Sequence, residues 1–486
     1  MKPYLVPVAA LFCLLSAAEA DEGRQLPKAL LKSNGQLCYC EKPGRAETLG
    51  ELFSQGKFYG RLRSNSFLYR WEKEDSLHDD HFITAVGASL VFDSARYEGF
   101  GFRLGLYGSR AFFDAQRDPV ARLKGGKDLL SRYDYVNTGS RSMGVAAQAY
   151  VSYSGIDDTR LIVGRQLVET FYTRSNDTKM IPNSFDGVTV HTTAWSGMKA
   201  TVAYLAKQKL RDHTEAHPVL MYGDAGCDTH LFPQWSGNDD SVMHRGLTCS
   251  ALKAAGKPTD APLIVGDIES EPTEALKLNA AFYLVPELIS QAMGELNYTF
   301  RFDGFSLIPG LRYIWQFDNG AGEVGGASYT ADTSGYKNPN SLESRMIAAR
   351  LVAKTSLYRF NFGYSQVFDE ADLITPWRGF PTSGYTRSMG IYNWRANTKS
   401  YRFEIVRNAD EGGLYTDPFV QLSILYIDAD DEKSGYHMSD EVYYYAGIVQ
   451  NFRKFPMLQW RLRAGYADVF DGVDSLDGRF EINCLF

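Results

Sequence analysis

The chain has 486 residues and a formal net charge of −7 with a pI near 5.7, which disfavours non-specific nucleic-acid binding. Beyond residue 20 no apolar run is long enough for a membrane-crossing helix. Yet 44 Gly, 30 Tyr and 29 Phe at a mean hydropathy of −0.28 fit a chain that hides its hydrophobicity in alternating strands.

Residues 1–20 read as a secretory signal. Lys2 gives a positive start, residues 5–15 (LVPVAALFCLL) are apolar, and Ala18-Glu19-Ala20 offers small residues at the cleavage positions. Cleavage there sets a mature start near Asp21. Export permits disulfides among Cys38, Cys40, Cys227, Cys249 and Cys484. Residues 21–57 are an extension of mixed character, periplasmic or lumenal, and 47–53 could close it with one short amphipathic helix.

From residue 58 to 486 the dominant signal is period-two alternation. Phe102, Leu104 and Leu106 alternate with Arg103, Gly105 and Tyr107; Leu311, Tyr313, Trp315 and Phe317 with Gly310, Arg312 and Gln316. Tyr358, Phe360, Phe362 and Tyr364 oppose Arg359, Asn361, Gly363 and Ser365, and Leu458, Trp460 and Leu462 oppose Gln459, Arg461 and Arg463. A soluble sandwich also alternates. Charges in mid-strand and aromatics at strand ends favour a transmembrane barrel with an aqueous lumen instead.

The connections alternate as well. Short ones at 93–99, 155–159, 195–197, 303–306 and 455–457 separate long ones at 113–141, 168–186, 208–260, 318–342 and 370–398. That rhythm predicts a closed antiparallel all-β barrel of about 18 strands with short periplasmic turns and long outer loops. The last strand puts Phe480, Ile482, Cys484 and Phe486 on one face. Its terminal Phe486 is similar to the signal read by the outer-membrane barrel-assembly machinery.

Alternation points Arg61, Arg63, Arg103, Arg312, Arg350, Lys354, Arg359, Arg402, Arg461 and Arg463 into the lumen. On the lipid face each would cost roughly 2–4 kcal/mol near the midplane. They form either an electrostatic track for anions or ion pairs with inward Glu295, Glu404 and Glu481 that stiffen the wall.

Three segments carry a resemblance. Residues 97–107 (YEGFGFRLGLY), 159–166 (TRLIVGRQ) with 176–187 (NDTKMIPNSFDG), and 280–300 resemble strands and the third loop of OprD-type porins, the outer-membrane carboxylate channels. The likeness runs from about Gly60 to Phe486. It implies an outer-membrane location, a monomer or homotrimer, inward-folded loops, and passive diffusion of small hydrophilic solutes bearing carboxylates along a basic ladder. It also implies that Asp177, Lys179, Pro182 and Asn183 lie on a constriction loop. Without the resemblance, Pro182 and Asn183 simply turn a surface loop. A general size-limited or oligosaccharide channel and an adhesive or structural barrel stay open as alternatives.

Cys227 and Cys249 share the longest loop with His213, His217, His230 and His244. A Cys227–Cys249 disulfide is the simplest account; His213 and His217 at i, i+4 have metal-ligand spacing, but ordinary loop histidines are the default. Cys38-x-Cys40 is too close for easy mutual bridging. No Gly-x-Ser-x-Gly elbow, His-Glu-x-x-His pair or phosphate loop occurs, so neither catalysis nor a cofactor or metal is expected.

Overall fold

The computed structural model describes residues 27–75, 78–114, 129–224, 242–409, 412–433 and 439–486. The expected signal segment, Cys227 and His230 lie outside the described residues.

Alternating β-branched and aromatic residues give eighteen membrane-spanning strands among the described residues. In chain order they are β1 (Lys57–Trp71), β2 (His81–Asp93), β3 (Phe100–Asp114), β4 (Ser142–Ile156), β5 (Thr159–Gln166) and β6 (Ser184–Thr192). Next come β7 (Met198–Lys209), β8 (Leu263–Ser270), β9 (Leu276–Val285), β10 (Ile289–Tyr298), β11 (Phe305–Asp318) and β12 (Ser344–Lys354). The last are β13 (Tyr358–Val367), β14 (Lys399–Arg407), β15 (Phe419–Asp428), β16 (Glu441–Asn451), β17 (Leu458–Val469) and β18 (Ser475–Leu485).

Neighbouring spans pair antiparallel, and β18 closes onto β1 from Ser475↔Trp71 to Leu485↔Arg61. Closure leaves no strand edge with unpaired amides in lipid. Each strand presents two different faces. On β1, Tyr59, Arg61, Arg63, Asn65, Phe67 and Tyr69 are buried inward while Phe58 faces out. The outward face elsewhere carries exposed Leu106, Val151, Val202, Phe282, Leu311, Phe362 and Leu462. Tyr313, Trp315, Tyr401, Tyr444 and Tyr466 edge this band on one side, and Phe58, Phe100, Phe300, Tyr358 and Phe452 on the other. An apolar belt between two aromatic girdles is the surface that a bilayer requires.

The largest buried cluster lies inside the ring rather than between sheets. It joins inward residues such as Leu205, Val265, Tyr283 and Ile314 to loop residues Tyr172, Val219, Leu247, Trp377 and Trp394. The long outer loops therefore fold into the lumen.

The helix before β1 spans Leu49–Ser54, later than 47–53. Thr48 sets the start: its Oγ1 accepts the Glu51 amide at 3.3 Å, and Glu51 Oε2 accepts the amide of Glu47, just before the cap, at 2.8 Å. Upstream, Ala29–Leu31 and Leu37–Tyr39 form a separate two-stranded sheet.

Candidate functional site

The third outer loop (L3, 167–183) turns inward between β5 and β6. Asp177 sits at its tip, 5% exposed, and its Oδ1 accepts Arg63 Nη1 at 2.7 Å while Oδ2 accepts Arg61 Nη1 at 3.1 Å. Arg63 also donates to the carbonyls of Lys179, at 2.6 Å, and Met180. The Lys179 ammonium lies 3.8 Å over the Phe67 ring. Lys209 Nζ donates to the Pro182 carbonyl at 3.2 Å, and Gln208 Nε2 to Asn183 Oδ1 at 3.0 Å. Asp177, Lys179, Pro182 and Asn183 are thus all buried against the barrel wall, with Asp177 clamped by two guanidiniums rather than facing an opening alone.

The seventh outer loop (L7, 368–398) enters from the opposite wall. Trp377 is fully buried, donates Nε1 to the Val219 carbonyl at 2.7 Å, and packs edge-on against Tyr283 at 4.7 Å. Tyr283 packs edge-on in turn against Tyr172 of L3 at 4.8 Å. The two loops pair directly: Gly379 N donates to Tyr172 O at 3.0 Å and Arg174 N to Trp377 O at 3.0 Å, around an antiparallel bridge of Thr173 and Arg378. The backbone of L7 also rests on β13 at Gly363, where a Cβ would come within 2.3 Å of the Tyr385 carbonyl oxygen. Only glycine leaves room there.

Arg61 and Arg63 on β1, Arg103 on β3, Arg312 on β11, Arg350 and Lys354 on β12, Arg359 on β13, Arg402 on β14, and Arg461 and Arg463 on β17 all occupy the inward register. Glu295 holds Arg312, through Nε at 2.7 Å, and Arg350 at 3.6 Å. Glu404 holds Arg402, and Arg359 at 3.4 Å. Glu481 holds Arg463, and Arg461 at 3.8 Å. With Asp177 of L3 between Arg61 and Arg63, the wall arginines among the described residues form four such clusters of one carboxylate and two guanidiniums, each keeping one net positive charge. Asp93 holds Arg103 at 2.6 Å and also Arg96, in the turn between β2 and β3, at 3.4 Å. The carboxylates fix the guanidiniums in place without cancelling them.

Tyr385 lies between Arg312 and Arg350, with ring-centre distances of 4.4 and 4.7 Å. Burial, reinforced by the nearby Glu295, pushes its phenol up to about 12, so it stays neutral. Arg312 also donates to the carbonyls of Pro381 at 2.6 Å and Ser383 at 2.9 Å, and Arg350 to that of Gly384 at 3.0 Å. The basic wall and L7 are therefore one unit.

Several lumenal cations fall outside the set read from the sequence. Arg479 on β18 donates to Asp477 at 2.9 Å; its parity opposite Phe480 was the signal for it. Arg387 of L7 lies 4.5 Å over Phe380 and 5.3 Å over Tyr392. Burial pushes its guanidinium down to about 10. The clue for L7 was composition: two Trp and several Arg are too many for a loop that merely faces water.

In the fourth outer loop, Cys249 is buried and disulfide-bonded. The His213 and His217 rings are 4.8 Å apart, and His244 hydrogen-bonds the Gly326 carbonyl at 2.9 Å. Among the described residues no three His, Cys, Asp or Glu side chains converge on a metal position. Cys38 and Cys40 are free thiols.

No protein-family profile and no curated protein matches the sequence. Solved structures do. OpdK of Pseudomonas aeruginosa, determined with vanillate, is 12% identical with a TM-score of 0.64, over 88% of this chain and 98% of its own. OccAB4 of Acinetobacter baumannii is 14% identical with a TM-score of 0.65, over 88% and 98%. The chain has the fold of the OprD-type channels. OccK8 (OprE) of Pseudomonas aeruginosa, 12% identical with a TM-score of 0.65 over 90% of this chain and 99% of its own, shares it.

Proposed function

We propose that the protein is an outer-membrane porin through which small hydrophilic solutes diffuse passively, with preference for those bearing a carboxylate, and that it is a channel rather than an enzyme. The observation that carries this reading is the set of clusters in which one carboxylate holds two arginines. A lumen lined by residual positive charge between low-dielectric walls concentrates anions and orients them as they pass. The pre-set guanidiniums need no reorganisation to meet a carboxylate. The OpdK structure with vanillate, an aromatic carboxylate, is consistent with such a solute.

A second reading has its own observation. Glu295, Glu404 and Glu481 already engage the arginines, which would stiffen the wall of a general, size-limited porin. The variant Arg312→Gln/Arg350→Gln/Arg359→Gln separates the two. Its planar-bilayer reversal potential should shift toward cations and its carboxylate flux should fall, with the difference fading as salt rises. Wild-type selectivity at low ionic strength would favour the size-limited porin. We also propose the Cys227–Cys249 disulfide, which mass spectrometry of non-reduced digests would identify as a linked peptide pair.

A further inference from the structure

Part of the segment before the barrel, residues 28–40, folds inside it. Ala29–Leu31 and Leu37–Tyr39 pair in the register Ala29↔Tyr39 and Leu31↔Leu37. Gly35, with φ of +85°, makes the turn, where its amide donates to the Lys32 carbonyl at 2.8 Å. A two-stranded hairpin of this size is marginal by itself in water, so its surroundings must hold it.

Those surroundings are lumenal. Gln459, an inward residue of β17, donates Nε2 to the Leu31 carbonyl at 2.8 Å. The Ser33 amide donates to the Tyr415 hydroxyl at 2.9 Å, and Tyr415 lies in the periplasmic turn between β14 and β15. The Tyr39 ring is 4.4 Å from Tyr59 of β1, with the Arg103 guanidinium 4.9 Å from its centre. Ala29, Leu37 and Tyr39 share one buried cluster with inward Phe67, Ile83 and Tyr107 and with Met180 and Ile181 of L3. The tip meets the constriction itself: a Cβ on Gly35 would sit 2.5 Å from Thr178 Cγ2 of L3 and 3.3 Å from Arg461 Nη1. The same part of the lumen is thus filled from the outer side by L3 and from the periplasmic side by the hairpin. The hairpin shares no strand ladder with the barrel. Its removal breaks side-chain contacts and leaves every wall strand paired.

We infer that the hairpin at residues 28–40 is a second constriction, seated in the periplasmic half of the lumen under L3, that sets the upper size of solute the channel passes. This rests on the reading of the barrel as a diffusion channel. Size is the property it controls, because Leu37 and Tyr39 pack it against the wall and its two strands occupy cross-section of the lumen whatever charge Lys28 and Lys32 add.

The test uses neutral sugars of graded size in a liposome-swelling assay, so that it does not depend on carboxylate preference. The full chain is compared with a variant lacking residues 28–40 and with Tyr415→Phe/Gln459→Ala, which keeps the hairpin but removes two of its anchors. Heat-modifiable gel migration checks that each barrel is closed. The deletion should raise the size limit and increase single-channel conductance about twofold or more, since an unobstructed barrel of this strand number is an open aqueous channel. The double substitution should do so partially and intermittently, and it carries the test if the deletion does not assemble. An unchanged size limit in closed barrels overturns the second constriction and leaves the porin reading standing. No swelling from any closed barrel overturns both.

Discussion

The amide of Gly379 donates to the carbonyl of Tyr172 at 3.0 Å, joining two outer loops that start from opposite walls of the barrel. Trp377, two residues earlier and fully buried, anchors that junction. Trp377→Ala should cost about 3–5 kcal/mol of local stability, the usual range for removing a buried tryptophan. Hydrogen exchange in 167–183 and 368–398 should accelerate together and conductance should rise. Acceleration confined to 368–398 would show that the loops are independent.

Asp177 neutralises part of a pair of guanidiniums that are almost wholly buried with it. Asp177→Asn should loosen L3 by about 3 kcal/mol, the lower end of the cost of stripping a buried ion pair of one partner. It should also move the reversal potential toward anions. L3 that resists proteolysis as well as in the wild type would rule the clamp out.

The shared carboxylates make an opposite prediction to that for the arginines. Glu295→Gln/Glu404→Gln/Glu481→Gln leaves Arg312, Arg350, Arg359, Arg402, Arg461 and Arg463 uncompensated. Anion over cation selectivity should rise roughly tenfold at low salt, the lower end of what electrostatic focusing supplies, and collapse at about 1 M salt, where screening lengths are shortest. A selectivity that does not move when either set is neutralised would mean that wall charge is not what the channel reads.

The barrel is legible in the sequence because its signal is local. Alternation around Arg312 or Arg461 fixes which face each residue takes, and the same parity, applied to Phe480, would have added Arg479. The loops are not legible in that way. The contact between Tyr172 and Gly379 joins distant parts of the chain, and no spacing within either loop announces it. The segment around Asp177 could be placed on a constriction by resemblance, but not its clamping by Arg61 and Arg63. The hairpin at Ala29–Leu31 and Leu37–Tyr39 is too short for periodicity to reveal.

The outer loops carry a pH-sensitive clasp. Asp369 accepts hydrogen bonds from Lys337 at 2.6 Å and Lys433 at 2.8 Å, and Lys433 also reaches Asp430. Burial raises both carboxyls, but the lysine hydrogen bonds outweigh it and hold them below the ordinary carboxylate value. A depressed acid stabilises the fold fully above its unfolded pKa of about 4 and loses that contribution as pH falls through its folded value. Burial lowers Lys433 while its two carboxylates lift it further, so its share is lost only in strong base. Amide exchange at 429–433, corrected for its intrinsic pH dependence, should therefore accelerate as pH drops below about 4, and Asp369→Asn should bring that onset to higher pH. An onset unaffected by the substitution would exclude the clasp.

Phe486, just past β18, exchanges backbone hydrogen bonds with Gly60, at 2.7 and 3.0 Å. Its removal should lower the amount of assembled, heat-modifiable barrel in the outer membrane while leaving total synthesis unchanged. Equal assembly would show that Phe486 is not an assembly signal here.

The seam between β18 and β1 joins the first and last strands of the barrel, so the ring shuts only when its most sequence-distant pairing forms. Pairings so distant in sequence form late. The hairpin is attached ahead of β1 through residues 40–56, on one lip of that seam. Maturation therefore has an order built into it: the leading segment is either captured as the circle zips shut or must fold in afterwards through the periplasmic mouth. Its lack of any ladder to the wall allows the second route.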